Sequence, residues 1–361
     1  MKNIKILHIY KCFDIEPKGG IEQYIKHFSA STYNYNVRNT LLFLGNKKYD
    51  FDLGYLKIFS EKKLFEISSN AFGSISFFIK FIELQKKNDI IIFHYPWPFG
   101  DLVTIFNMVS KPYLIFYQAD IIKQKNLENL YKPIRYFFFK NSKRIIVTST
   151  NYLISSKVLS KWKNKIDVIP IHLNEKLIEE KLNLAKKIII DDGYFLFIGK
   201  NRHYKGIELL ERVFHRLPNI KLKIISDINK DNTDNVEYLT DVNDENKYAY
   251  IKNSMAIVLP STHRSESFGI SLLEGLFFGK PLISTELGSG TSFVNLNNVS
   301  GIVVNPNSEE ELYNAIIKIH DNKDIRSAFS KNAHDRYKKI FDEENLVIKI
   351  MSMLKTHIQA T

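Results

Sequence analysis

The stretch MAIVLPSTHRSESFGISLLEGLFFGKPLIST, residues 255–285, changes its periodicity twice, and its reading decides the fold. MAIVLP is a short apolar run of the kind that forms a buried strand, and it stops at Pro260. STHRSES is polar and reads as a loop. GISLLEGLFF then has helical spacing, and Gly279-Lys280-Pro281 supplies a glycine C-cap followed by a proline that ends the helix. PLIST, residues 281–285, is a second strand. Strand, loop, helix and strand in this order make the unit of a parallel sheet wound with crossover helices.

The same stretch singles out two carboxylates. Glu266 falls in the loop and Glu274 inside the helix. At about 100° per residue, Glu274 lies between Ile270 and Phe277 on the apolar stripe, where an ionised carboxylate is costly unless it is hydrogen-bonded. The amides of Gly269, Ile270 and Ser271 open the helix and have no acceptor within it, which makes an anion site. Three readings follow: a pair of acid/base catalysts, a buried glutamate satisfied by a lysine or a backbone amide, or two clamps on a polyhydroxylated ligand. A phosphate at the amides and hydroxyls at both glutamates describe a nucleotide sugar.

The strand pattern extends in both directions. KILHIY (5–10), NTLLFL (39–44), DIIIFHY (89–95), YLIFYQ (113–118) and RIIVTS (144–149) read as strands of a first sheet. YFLFIG (194–199), LKIIS (222–226), MAIVLP, PLIST and GIVVN (301–305) read as strands of a second. The expected fold is α/β, with two doubly wound Rossmann-like domains facing each other across a cleft. Residues 1–172 form the first, 173–190 a linker and 191–343 the second, while 344–361 form a terminal helix that crosses back. In such sheets ligands sit beyond the carboxyl ends of the strands, so the chemistry belongs in the loops that follow them.

Composition narrows the setting. The 361 residues exceed what one hydrophobic core accommodates, and no apolar run is long enough to span a bilayer. A single cysteine, Cys12, precludes an intrachain disulfide and fits a reducing compartment, the cytoplasm. The net charge of +12 is uneven: residues 1–170 carry about +13 and the remainder about −1. An anionic partner for the first half follows. Nucleic acid is not expected, because no recognition motif accompanies the charge. An anionic membrane surface fits better, with the chain peripheral on the inner face of the cytoplasmic membrane. The segment YKPIRYFFFKNSKR (131–144) reads equally as a membrane-interface helix or as a buried helix flanked by lysines.

The order ESFGISLLEG, GKPLIST, NVSGIVVNP resembles the retaining GT-B glycosyltransferases with the E-x7-E motif, and so do Gly19-Gly20-Ile21-Glu22, FIGKNRHYKGIELL and STELGSGTSFVN. The resemblance spans most of the chain. It implies that Glu266 contacts the transferred sugar and Glu274 the nucleotide ribose. The backbone at Phe268, Gly269 and Ile270 would meet the sugar and diphosphate. Lys205, with Lys200 or Arg202, would neutralise charge on the leaving diphosphate. Gly19 and Gly20 would let the first loop approach the diphosphate closely. On the acceptor side stand His94, Gln118 and Asp120. Related enzymes generally have histidine where Gln118 stands, and glutamine can hydrogen-bond a sugar but cannot act as a base.

The function implied is transfer of a sugar, with a lean to mannose from GDP-mannose, to a lipid-linked oligosaccharide in bacterial surface-polysaccharide (O-antigen, lipopolysaccharide or capsule) synthesis. No metal and no cofactor are expected besides the nucleotide-sugar co-substrate. The alternatives are a UDP-sugar-dependent transferase of the same fold, a nucleotide-sugar 2-epimerase, a glycoside hydrolase using the two glutamates, and a nucleotide-binding module with degenerate catalysis. Asp50-Phe51-Asp52 reads as part of a polar loop and not as a metal site.

Overall fold

The computed structural model describes residues 3–14, 19–67, 70–106, 108–121, 125–185 and 193–359. In the N-terminal half, strands lie side by side in the order Tyr49–Asp52, Leu56–Ile67, Val37–Gly45, Ile4–Ile9, Ile90–Tyr95, Tyr113–Tyr117, Arg144–Val147 and Ile166–Val168. Asn70–Gly73 pairs back on Leu56–Ile67. All neighbours run parallel except the two antiparallel partners of Leu56–Ile67. The second sheet is parallel throughout, in the order Val236–Leu239, Lys221–Ile225, Tyr194–Ile198, Ala256–Leu259, Leu282–Thr285 and Gly301–Val304. Helices cover both faces, so central strands such as Ile90–Tyr95 are buried at every residue and need no polar alternation.

Strand order places the site. In each sheet the chain leaves its first strand in one direction and later returns to the other side of it. The reversals fall between Ile4–Ile9 and Ile90–Tyr95, and between Tyr194–Ile198 and Ala256–Leu259. Crevices open beyond the carboxyl ends of such strand pairs. The loops there begin at Tyr10, Pro96, Gly199 and Pro260.

Two features differ from expectation. Asp50-Phe51-Asp52 belongs to an exposed antiparallel edge strand, not a loop, and Asp52 turns the chain by accepting from the Gly54 amide at 2.7 Å. The long strand Leu56–Ile67 escapes periodicity because Glu61, Lys62 and Lys63 interrupt its apolar run. The amphipathic segment read as a linker carries the helix Glu175–Leu184, capped by the Asn174 side chain on the Leu177 amide. The end of that linker, 186–190, lies outside the described residues.

Contacts between the halves are specific. Glu343, which opens the helix Glu343–Gln359, accepts from the Asn174 side chain at 2.7 Å and the Glu175 amide at 2.8 Å. Farther along that helix Lys349 donates to the Val168 carbonyl at 2.9 Å. The helix therefore lies against the edge of the first sheet.

Candidate active site

Beyond the strand Ala256–Leu259, the loop to Gly269 delivers Glu266, and the helix Ile270–Phe277 carries Glu274. Gly269 caps this helix at φ +86°, a left-handed conformation that turns the loop sharply into the helix. The amides of Gly269, Ile270 and Ser271 meet no acceptor among the described residues. At the other end Gly279, at φ +61°, closes the helix, and the Lys280 amide returns to the Gly275 carbonyl at 2.8 Å.

Both glutamates are buried, and each has one oxygen on a lysine. Glu266 Oε2 accepts from Lys205 Nζ and, at 3.4 Å, from Ser261 Oγ. Glu274 Oε1 accepts from Lys247 Nζ at 2.8 Å, and Lys247 also reaches Asp244 at 3.0 Å. The hydrogen bonds of the two side chains among the described residues go to Glu266 Oε2 and Glu274 Oε1, leaving Glu266 Oε1 and Glu274 Oε2 to accept from a ligand. Burial opposes the charge of Lys205, but the Glu266 carboxylate outweighs it and holds the ammonium above its usual pKa. At Lys247 burial is likewise outweighed, first by Glu274, and the pKa lies well above the usual range. Burial pushes the Glu274 carboxyl upward and Lys247 opposes that shift. With the contact at 2.8 Å and a second carboxylate on the same lysine, the ionised pair is the state that fits both partners.

Lys205 is aimed by its own turn. Gly206 adopts φ +75° and caps the helix Ile207–His215. A Cβ at Gly206 would lie 2.1 Å from the Pro260 carbonyl oxygen. The neighbouring Tyr204 carbonyl accepts from the Thr262 amide at 2.7 Å. The K-G turn and the Glu266 loop are thus stitched together, which brings Lys205 to Glu266. Lys200 is half-buried and Arg202 exposed; neither makes an ion pair among the described residues.

From the first domain, Gly20 opens the helix Gly20–Tyr33 and faces Ile270: a Cβ there would be 3.5 Å from the isoleucine Cδ1. A Cβ at Gly19 would meet the Glu22 carboxylate at 2.2 Å, so this glycine makes room for a side chain of its own helix. Gly20 thereby meets the N-terminus of the helix that holds Glu274.

The acceptor-side candidates are engaged differently. His94 and Gln118 are buried in a polar string. Gln118 Nε2 donates to His94 Nδ1 at 3.4 Å, His94 Nε2 to His8 Nδ1 at 3.0 Å, and His8 Nε2 to Asn39 Oδ1 at 3.1 Å. Every contact is satisfied with both imidazoles neutral, and burial lowers the pKa of His8 to about 4. Burial lowers that of His94 well below the usual value, with His8 adding to the effect. Asp120 has both oxygens occupied: Tyr117 and Ser156 donate to Oδ1, and Arg264 reaches Oδ2 at 2.9 Å. Arg264 also donates to the Ser155 carbonyl at 3.1 Å. The Asp120–Arg264 pair links the two halves, with Arg264 two residues before Glu266.

Phe268 directly precedes Gly269 at the helix start, and its ring packs in the core against Phe341. Sequence reasoning missed Lys247, Asp244, Lys26, Arg264 and His8. Arg264 stood inside the quoted motif, but nothing local marks Lys247, which reaches Glu274 only through packing of the helix Asp244–Asn253. Among the described residues no group of three or more His, Cys, Asp or Glu side chains is placed to hold a metal ion.

Comparison with known proteins identifies the family and the fold. Residues 179–336 match the model of "Glycosyl transferases group 1". The chain is 31% identical to O-antigen chain mannosyltransferase C of Escherichia coli, over 99% of this chain and 100% of that one. It is 32% identical to the D-rhamnosyltransferase WbpZ of Pseudomonas aeruginosa, over 94% and 92% of the two chains. Among solved structures, Anabaena HepE in complex with UDP-glucose superposes with a TM-score of 0.73 at 14% identity, covering 98% of this chain and 100% of that one. The chain belongs to the group 1 glycosyl transferases and is a glycosyltransferase of the GT-B fold.

Proposed function

We propose that the protein is a retaining transferase that moves a sugar, mannose from GDP-mannose in the first instance, onto a lipid-linked oligosaccharide during O-antigen assembly. The observation that carries the reading is the pair of lysine-held glutamates flanking a helix start with free amides. Each glutamate has one oxygen on a lysine and leaves the other to accept from a hydroxyl, which supports two clamps over the acid and nucleophile of a glycoside hydrolase. Glu274 then accepts from the ribose, and Glu266 from the sugar. The diphosphate lies at the amides of Gly269, Ile270 and Ser271, with Lys205, Lys200 and Arg202 supplying the countercharge in place of a metal.

With no carboxylate assigned as nucleophile, retention follows from front-face substitution. The bond from the anomeric carbon to the diphosphate breaks, the acceptor oxygen bonds on the same face, and its proton passes to the leaving phosphate oxygen. Such chemistry depends on positioning and charge, and glutamine at 118 is compatible with it. Similarity to the Escherichia coli O-antigen chain mannosyltransferase favours mannose, while the Pseudomonas aeruginosa relative is a D-rhamnosyltransferase, so the sugar is the part of the proposal to test first. Purified protein is incubated with GDP-mannose, UDP-glucose and a lipid-linked oligosaccharide, with and without EDTA. The expected product keeps the donor's anomeric configuration and forms equally in EDTA. An inverted product, or loss of transfer in EDTA, refutes the corresponding part.

A peripheral position on an anionic membrane is part of the same proposal. No described helix is long and apolar enough to cross a membrane. The half that carries about +13 also exposes Leu64, Phe65, Ile75 and Ile79, each more than half accessible, on the hairpin and helix that follow one another from residue 56 to 86. In the segment 131–144, Phe138 and Phe139 are core while Tyr136 and Phe137 are exposed beside Lys132 and Lys140. Apolar side chains among lysines suit an interface with acidic headgroups. Partition onto vesicles should rise with anionic lipid and fall with salt; indifference to vesicle charge would refute it.

A further inference from the structure

Glu274 is the end of a charge chain that leads out of its own domain. Lys247 Nζ lies 2.8 Å from Glu274 Oε1 and 3.0 Å from Asp244 Oδ1. Asp244 Oδ2 in turn lies 2.9 Å from Lys26 Nζ, and its Oδ1 accepts from Gln23 Nε2 at 3.3 Å. Lys26 and Gln23 stand on the helix Gly20–Tyr33 of the first domain, three residues apart and therefore on one face. Glu274, Lys247, Lys26 and Gln23 are all buried. The charges alternate and sum to zero, so removing one member leaves its neighbour unpaired in a poorly solvated place. The helix that supplies Lys26 also opens at the glycine pair, with Gly20 against Ile270. One N-domain helix therefore touches the donor helix directly at its start and, through Asp244 and Lys247, at Glu274.

We propose that Lys247 is a positioning residue for Glu274, and that Asp244 and Lys26 make this position depend on contact between the two domains. The inference rests on the reading that Glu274 accepts from the nucleotide ribose. Lys247 does not touch the ligand. It holds one carboxylate oxygen so that the other faces the ribose. A nucleotide that engages Glu274 then favours the arrangement in which the domains touch, and that arrangement favours the nucleotide by the same factor. If Lys247 only neutralised a core glutamate, ligands would not sense it.

The test compares affinities for GDP, UDP and inorganic pyrophosphate, which lacks the ribose, in the whole protein. The variants are Glu274→Gln, Lys247→Met, Lys247→Arg, Lys26→Met and the double variant Lys247→Met/Glu274→Gln, with thermal unfolding followed for each. Glu274→Gln and Lys247→Met should each weaken the nucleoside diphosphates by about 10- to 100-fold, the range of a hydrogen bond to a charged group, and change pyrophosphate by less than about 2-fold. The double variant should bind no worse than the weaker single one, because both changes remove the same contact. Lys247→Arg should recover most of the affinity, and Lys26→Met should weaken the nucleoside diphosphates by about 3- to 10-fold.

Additive losses in the double variant, an equal loss of pyrophosphate binding, or wild-type affinity in Lys247→Met would overturn the positioning role. Wild-type affinity in Lys26→Met would overturn the link between domains. Should Lys247→Met fail to fold, the double variant, which removes both charges, is compared with Glu274→Gln alone: equal affinities support the inference and a further drop overturns it. Unchanged nucleoside diphosphate affinity in Glu274→Gln would instead remove the ribose assignment on which everything here depends.

Discussion

Replacing Gly206 by alanine should displace the turn that presents Lys205, without touching Lys205 itself. The backbone sits at φ +75°, where an L-residue costs about 1–2 kcal/mol. The added Cβ would stand 2.1 Å from the Pro260 carbonyl oxygen, against 3.4 Å for ordinary contact, so the two loops must separate by about 1.3 Å. That movement also strains the 2.7 Å hydrogen bond from the Thr262 amide to the Tyr204 carbonyl, worth about 1 kcal/mol. A total near 2–3 kcal/mol corresponds to a Tm lower by roughly 5–10 °C in a domain of this size. A misplacement of about 1 Å in a group that steadies the leaving charge costs on the order of 100-fold in turnover. Steady-state transfer kinetics and differential scanning calorimetry measure the two effects separately. A Gly206→Ala protein that keeps both its Tm and its kcat would refute the claim that this turn aims Lys205.

Lys205→Ala should lower kcat by about 100-fold or more while weakening donor binding much less, since charge on the diphosphate grows towards the transition state; equal losses in kcat and donor affinity would argue against that role. Stability should fall with acidification. Burial holds His8 and His172 down to about 4 and His27, with Lys247 and Lys26 adding to burial, to about 3. Unfolded histidine titrates near 6.5, so the unfolded chain takes up protons that the folded one refuses. The stabilisation is complete above about pH 6.5 and is lost as pH falls towards 4, by roughly 3 kcal/mol for His8 alone. Urea midpoints that stay level between pH 7 and 4.5 would count against these histidines being neutral and buried.

The strands and the donor motif were legible because their signals are local. Ile90–Tyr95 and Tyr194–Ile198 are apolar runs whose edges fall where the sequence places them within a residue or so. The helix Ile270–Phe277 is bracketed by Gly269 and Gly279, both at positive φ, so punctuation and backbone agree. Tyr49–Asp52 and Leu56–Ile67 were not legible. An exposed edge strand needs no apolar pattern, and its hydrogen bonds come from a partner that the local sequence does not announce.

The candidate site divides in the same way. The sequence by itself set Glu266, Glu274 and a helix start in one stretch just past a recognisable strand, and the family resemblance added Lys205 from the turn between Gly199 and Gly206. Only the tertiary structure decided which charges neutralise which. Lys205 finds Glu266 across 61 positions and Lys247 finds Glu274 across 27, while Asp120 is taken by Arg264 and His94 is enclosed with His8 and Gln118. Periodicity assigns a side chain to a face of its own element. Its partner is set by how separate elements pack, and in a buried site that partner determines whether a carboxylate is free to meet a ligand.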